Sequence, residues 1–317
     1  MQNSTAVFQL NLIYKTSFCA RTQNPETLST IMTMIKIIST FIILFFVSQA
    51  SISQTTTINF EWSNDSLNGL LFEKTAMHIP IHFENDTITY YFQLDTGSDQ
   101  TFLYSYDSLQ INLPLSLLTE NVFKSDIGLL NVVKLNTKKC YLENGRLHIG
   151  TLGADFFTKK IVEIDFSKQQ IRFLPSYDST SFKLKAMKLS YGRPIIQVER
   201  QNKTYDFLFD TGSSLFELWT TKSIWNKFRE KSSNVDEFPI SSWGEINKAY
   251  RSTLNSNFNI CFCSSIKIKH VWYNSNKSFA QGFQSLNIDG IIGNKPFLDQ
   301  ILLIDFENKK IGVKQCK

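Results

Sequence analysis

The 317-residue chain has no phosphate-binding glycine loop, no Gly-x-Ser-x-Gly elbow and no Cys–His nucleophile signature. Phosphoryl transfer on a P-loop and acyl transfer through serine or thiolate therefore find no residues to carry them. Histidine is scarce, 4 in all, and no CxxC or HExxH spacing occurs, so neither a metal nor another cofactor is implied. Charge of one sign is lacking as well. Lys and Arg number 33 against 28 Asp and Glu, and the net +5 is scattered, which argues against a nucleic-acid partner. The apolar run Ile37–Val47 is shorter than the ~20 residues that span a bilayer.

That run reads instead as part of a secretory signal over residues 34–53. A Lys precedes it, small residues near Ala50 and Ser53 follow it, and no lipid-accepting Cys comes next. Residues 1–33 are then expected to be no part of the mature protein, which would begin near Gln54, secreted or in the periplasm or cell envelope without a membrane anchor. Export leaves Cys140, Cys261, Cys263 and Cys316, an even number with three possible pairings. Cys261 and Cys263 alternate on a strand-like stretch and should not pair with each other.

Hydrophobic residues make up 42% of the chain, with 27 Phe, enough for a packed core. The apolar segments form an internal repeat. HIPIHFENDTITYYFQLDTGSD, IGTLGADFF and IVEIDFSKQQIRF are followed by RPIIQVERQNKTYDFLFDTGSS, IDGIIGNKPFL and ILLIDFENKKIGV. Pro80 precedes Asp95 by 15 residues and Pro194 precedes Asp210 by 16; Gly153 to Asp165 and Gly293 to Asp305 are both 12. Such a long period fits duplication of a small domain rather than a solenoid. The first copy is expected over 54–180 and the second over 181–317, joined through the turn-prone Pro175–Ser181. Gly128 lies 33 residues after Asp95 and Gly244 lies 34 after Asp210. The second copy should then carry about two dozen extra residues within Glu245–Asn287, read from those spacings.

Both Asp-Thr-Gly-Ser loops follow a short apolar strand, YYFQL or YDFLF. Brought together, Asp95 and Asp210 could not both ionise, so one would be a general base and the other a general acid. Gly97 and Gly212 permit a tight turn and a close backbone approach. Ser98 and Ser213 can donate hydroxyl hydrogen bonds to the aspartates, and Thr96 and Thr211 can bond across to the opposite loop. Asp165 and Asp305, inside closing strands, read as structural.

On these motifs the chain resembles the pepsin and retropepsin aspartic peptidases over roughly residues 75–317. TLGADFF and IIGNKPFL are similar to the family's hydrophobic-hydrophobic-Gly segment at Gly153 and Gly293, and each IDF is similar to its closing strand. The resemblance implies a mostly β, bilobal, pseudo-two-fold double-β-barrel fold. It implies an aspartic endopeptidase acting on an extended peptide or protein as a single chain, or the same scaffold as an inactive peptide-binding module. Asp99 stands where the family more often has a neutral residue. Position alone suggests flaps at Lys124–Leu130, with Asp126 and Gly128, and at Ser242–Glu245, with Trp243 and Gly244.

Overall fold

The computed structural model describes residues 55–105, 119–200, 202–242, 245–255, 259–260, 266 and 268–315. Gln54–Lys317 forms one compact unit. The signal segment, Trp243, Gly244, Cys261, Cys263 and Cys316 lie outside the described residues. Cys140 is a buried free thiol whose Sγ donates to the Tyr104 carbonyl at 3.5 Å.

The segments IVEID and ILLID are rich in β-branched and aliphatic residues and become strands Ile161–Asp165 and Ile301–Asp305, most of each buried. They pair with each other antiparallel, with Glu163 opposite Leu303 at the centre and Ile161 opposite Asp305 at one end. Each folds back as a hairpin, on Gln170–Leu174 or Lys310–Lys314. Thr56–Asn59 and Phe182–Ala186 add the outer strands of this six-stranded sheet. The register is two-fold symmetric, because a residue and its repeat counterpart, 140 positions later, swap places in the pairing. Asp165 and Asp305 hold the hairpin turns. Asp165 Oδ1 accepts from the Lys168 N–H at 3.0 Å, and Asp305 Oδ1 accepts from the Asn308 N–H at 2.8 Å.

Two further sheets repeat one topology. The first contains Leu70–Ile81, Tyr90–Leu94, Arg146–Leu152, Phe102–Ser105 and Val133–Lys139 in that spatial order. The second contains Arg193–Arg200, Lys203–Phe209, Gly290–Ile292, Leu218–Thr220 and His270–Asn274 in the corresponding order. Strand directions match at every step: antiparallel, parallel, antiparallel, parallel. Alternating side chains Tyr90, Phe92 and Leu94, and Phe207 and Phe209 in the second half, drop into the main core. The molecule is thus mostly β with several sheets, and among the described residues none closes into a barrel. The expected double barrel is corrected to several sheets, none of them closed among the described residues.

Register also refines the repeat. Pro80 lies opposite Tyr91 and Gln197 opposite Asp206, each four residues before its aspartate. Pro80 therefore corresponds to Gln197, and Pro194 is no counterpart of it. Phe102 faces Val133 and Trp219 faces Trp272, intervals of 31 and 53 residues. The 22 extra residues lie between Trp219 and Trp272, a stretch that includes helix α1 (Lys222–Phe228) and the paired strands Val235–Ser242 and Glu245–Thr253. From Val133 to Thr151 and from Trp272 to Ile291 the lengths are 18 and 19, nearly equal, yet the second stretch forms helix α2 (Lys277–Ser285). The expected range Glu245–Asn287 overlaps this insertion but starts too late and runs too far.

Candidate active site

Strand Tyr90–Leu94 ends at Asp95, and strand Lys203–Phe209 ends at Asp210. The parallel neighbour fixes each end. The Asp95 N–H donates to the Leu152 carbonyl at 3.0 Å, and the Asp210 N–H to the Ile292 carbonyl at 2.9 Å. The chain then passes Gly153 or Gly293 against the turn of its own loop. A Cβ on Gly153 would sit 2.2 Å from the Gln100 carbonyl oxygen, and one on Gly293 would sit 2.1 Å from that of Ser213. These are not ordinary turn glycines. They let two backbone segments touch.

The two Asp-Thr-Gly-Ser loops lock into one another. The Thr96 N–H donates to Thr211 Oγ1 at 2.9 Å, the Thr211 N–H donates to Thr96 Oγ1 at 3.1 Å, and Thr96 Oγ1 donates to the Phe209 carbonyl at 2.8 Å. Both threonines are buried. Gly97 lies under the Asp210 carboxyl and Gly212 under that of Asp95, and the carboxyls hydrogen-bond to each other. Burial, then the Asp210 charge and hydrogen bond, push the Asp95 carboxyl well above the usual carboxylate range; the Ser98 N–H and the Lys138 cation oppose this only in part.

The serines differ. Ser213 Oγ donates to Asp210 Oδ2 at 2.7 Å, and the Gly212 N–H donates to Asp210 Oδ1 at 2.8 Å. Ser98 Oγ turns away to the Gln100 carbonyl at 2.7 Å, and only its backbone N–H reaches Asp95, at 2.9 Å. The expected Ser98 hydroxyl bond to Asp95 is therefore corrected. Asp99 is exposed to solvent.

Of the flap positions, Asp126 and Gly128 do form a hairpin tip, between strands Val122–Ser125 and Gly128–Asn131. The tip is not at the aspartates. The Asp126 N–H donates to the His82 carbonyl at 3.0 Å and the Glu84 N–H to the Lys124 carbonyl at 2.9 Å. His82 follows the strand end that pairs with Tyr90, the start of the strand leading to Asp95, so the tip is tied about five residues of strand away, roughly 17 Å. In the second half Ser242 lies opposite Glu245; the flap residues between them fall outside the described residues.

A cavity of about 300 Å³ opens beside the carboxyls, lined by Asp95 and Asp210 together with Leu208, Trp219, Phe283 and Ile291. Leu208 was within reach of sequence reasoning, since two residues before Asp210 on a strand is the same face. The wall from α2 was not, because its spacing carries no catalytic signature. Buried Asn294, just past Gly293, was missed too; its Nδ2 donates to the Thr211 carbonyl at 3.1 Å and to Ser214 Oγ at 2.6 Å, bracing the second loop. The described residues hold no cluster of His, Cys, Asp and Glu able to bind a metal ion.

No protein-family model and no curated protein matches the chain.

Proposed function

We propose that this chain is an aspartic endopeptidase, with the bilobal pseudo-two-fold fold of the pepsin and retropepsin group. The observation that carries the reading is the pair of cross-bonded loops, which presents two hydrogen-bonded carboxyls in unequal surroundings. Asp95, destabilised as an anion, holds the proton. Asp210, served by a hydroxyl and an N–H, is the base. Asp210 takes a proton from a water lying between the carboxyls as that water attacks the peptide carbonyl. The Asp95 proton polarises the carbonyl oxygen, and a proton then passes to the departing amine as the C–N bond breaks. Since one chain supplies both carboxyls, the working unit is a monomer, acting outside the cytoplasm on peptide or protein substrates.

The test is hydrolysis of a mixed peptide library across pH, with Asp95→Asn and Asp210→Asn as controls. Each substitution should remove turnover while leaving the fold intact, because a cooperating pair fails as a unit. Peptides bound but never cut by the unsubstituted chain would favour a binding module instead. Turnover equal to wild type in both variants would rule out the assignment of the pair.

A further inference from the structure

A glycine is retained in a fold for one of two common reasons: a backbone angle that other residues resist, or a neighbour that leaves no room for a Cβ. Among the described residues every glycine but one has such a reason. Each either has a positive φ or would put its Cβ within 2.5 Å of another group, as Gly153 and Gly293 do. The exception is Gly282. It lies inside helix α2, where glycine is the poorest helix former after proline. A Cβ built on it meets nothing within 4 Å. Neither its conformation nor its packing asks for glycine.

What Gly282 does is line the cavity beside the carboxyls. Ser278, Phe279, Gly282, Phe283 and Leu286 recur at helical spacing, share one face and all border that cavity. Phe279 packs on Trp219 with ring centroids 4.8 Å apart, and Phe283 is buried. The lining is thus aromatic and aliphatic around two carboxyls, and midway along its helical side one position has no side chain. The space is about 300 Å³ in volume and reaches Asp95 and Asp210.

Resting on the peptidase reading above, we propose that Gly282 determines specificity: the space left by its missing side chain admits an aromatic side chain of the peptide, from a residue flanking the cut bond. The cavity borders both carboxyls, so a side chain seated in it belongs to a residue whose backbone lies over the pair. An aromatic guest removes a large apolar area from water and is offered the rings of Trp219, Phe279 and Phe283 as partners. A small guest leaves the space part-filled and forfeits those contacts. A charged guest forfeits its hydration. Any side chain at position 282 would enter the same space, so that residue sets the size of the guest. In an apolar pocket a single methylene changes selection by about tenfold or more.

The experiment is cleavage of a randomised peptide library by the full chain, with the residues flanking each cut read by mass spectrometry. One flanking position should be enriched at least tenfold in Phe, Tyr or Trp over Val and Ala. Gly282→Leu should reverse that order, lowering cutting at Phe at least tenfold relative to Ala, and Gly282→Ala should fall between the two. If Gly282→Leu does not fold, the ratio in Gly282→Ala decides alone. Thermal unfolding separates this role from a structural one. Gly282→Ala should melt no lower than the wild type, since its methyl meets open space and alanine favours a helix. A lower melting temperature for Gly282→Ala, or a Phe-to-Ala ratio unchanged by substitution, would overturn the inference while leaving the peptidase reading standing. Absence of any cut that depends on Asp210 would overturn both.

Discussion

Gly97 and Asp210 belong to different loops, yet a Cβ on Gly97 would lie 2.5 Å from the Asp210 Cγ; Gly212 and Asp95 repeat the relation at 2.5 Å. Each glycine is thus the seat of the other loop's carboxyl, and the pair can approach only because neither loop has a side chain there. Gly97→Ala and Gly212→Ala should each force a carboxyl aside. We expect kcat to fall by about 100-fold or more, as a displacement near 1 Å does in a positioned site, with the circular dichroism spectrum retained. Activity within threefold of wild type would show that the carboxyls do not work from this geometry.

The threonines bind the halves unequally. Thr96 Oγ1 both donates to the Phe209 carbonyl and accepts from the Thr211 N–H, whereas Thr211 Oγ1 accepts from the Thr96 N–H. Replacing Thr96 by Val leaves a buried donor and a buried acceptor without partners, at roughly 1–3 kcal/mol each. Urea unfolding should therefore show a lower midpoint for Thr96→Val than for Thr211→Val, with an unchanged m-value. The reverse order would remove Thr96 from its double role.

The unequal serines give a prediction about turnover. The Ser213 hydroxyl donates to Asp210 Oδ2, whereas the Ser98 hydroxyl serves the Gln100 carbonyl. Ser213→Ala should therefore lower kcat/KM more than Ser98→Ala does, because only the first removes a donor from a reacting carboxyl. Equal losses in the two variants would contradict the asymmetry.

Much of this was legible in the sequence. Two Asp-Thr-Gly-Ser loops after apolar strands, and a Gly and an Asp a fixed distance beyond each, locate the strand ends and the neighbour that runs beside them. Asn144-Gly145 is the residue pair a tight hairpin favours, and both have positive φ, 51° and 76°, between strands Tyr141–Glu143 and Arg146–Leu152. What failed was inference from spacing alone. Gly128 has a position like that of a flap tip, but the Asp126 carboxylate accepts from the His82 N–H at 3.1 Å and pairs with its ring, pinning the tip elsewhere. Sequence offsets cannot register such a tertiary bond. Pro80 and Pro194 misaligned because proline marks a strand without fixing its register, which the paired backbone sets. The Ser98 hydroxyl had two acceptors in reach, and composition could not say which it would take.

A last prediction concerns the buried histidines of the first half. His78 and His148 are each 2% exposed, with Nδ1 atoms 3.1 Å apart, so one ring donates to the other. Tyr141 stacks on His148 at 4.6 Å. Burial, then the neighbouring His148, Lys138 and Arg146, lower the His78 pKa from 6.5 to about 3. Burial, Arg146 and Lys138 lower that of His148 to about 4. Glu143, 3.8 Å from His148 Nε2, is half-exposed, so it offsets little of this. Both folded values lie below the unfolded one, so the unfolded chain binds more protons between pH 6.5 and about 3. Stability from the pair is then complete above pH 6.5 and falls as pH drops through that window, a tenfold loss of proton affinity on folding being worth about 1.4 kcal/mol. Asp95 acts in the opposite sense, since its raised pKa favours proton uptake by the folded state; comparison with a variant that retains it cancels this contribution. Urea unfolding of the wild type and of His78→Leu/His148→Phe at pH 7 and pH 4.5 isolates the histidines. The wild type should lose more stability on acidification than the double variant, by several kcal/mol. Equal losses would mean that the two rings take up protons in the folded state as readily as in the unfolded one.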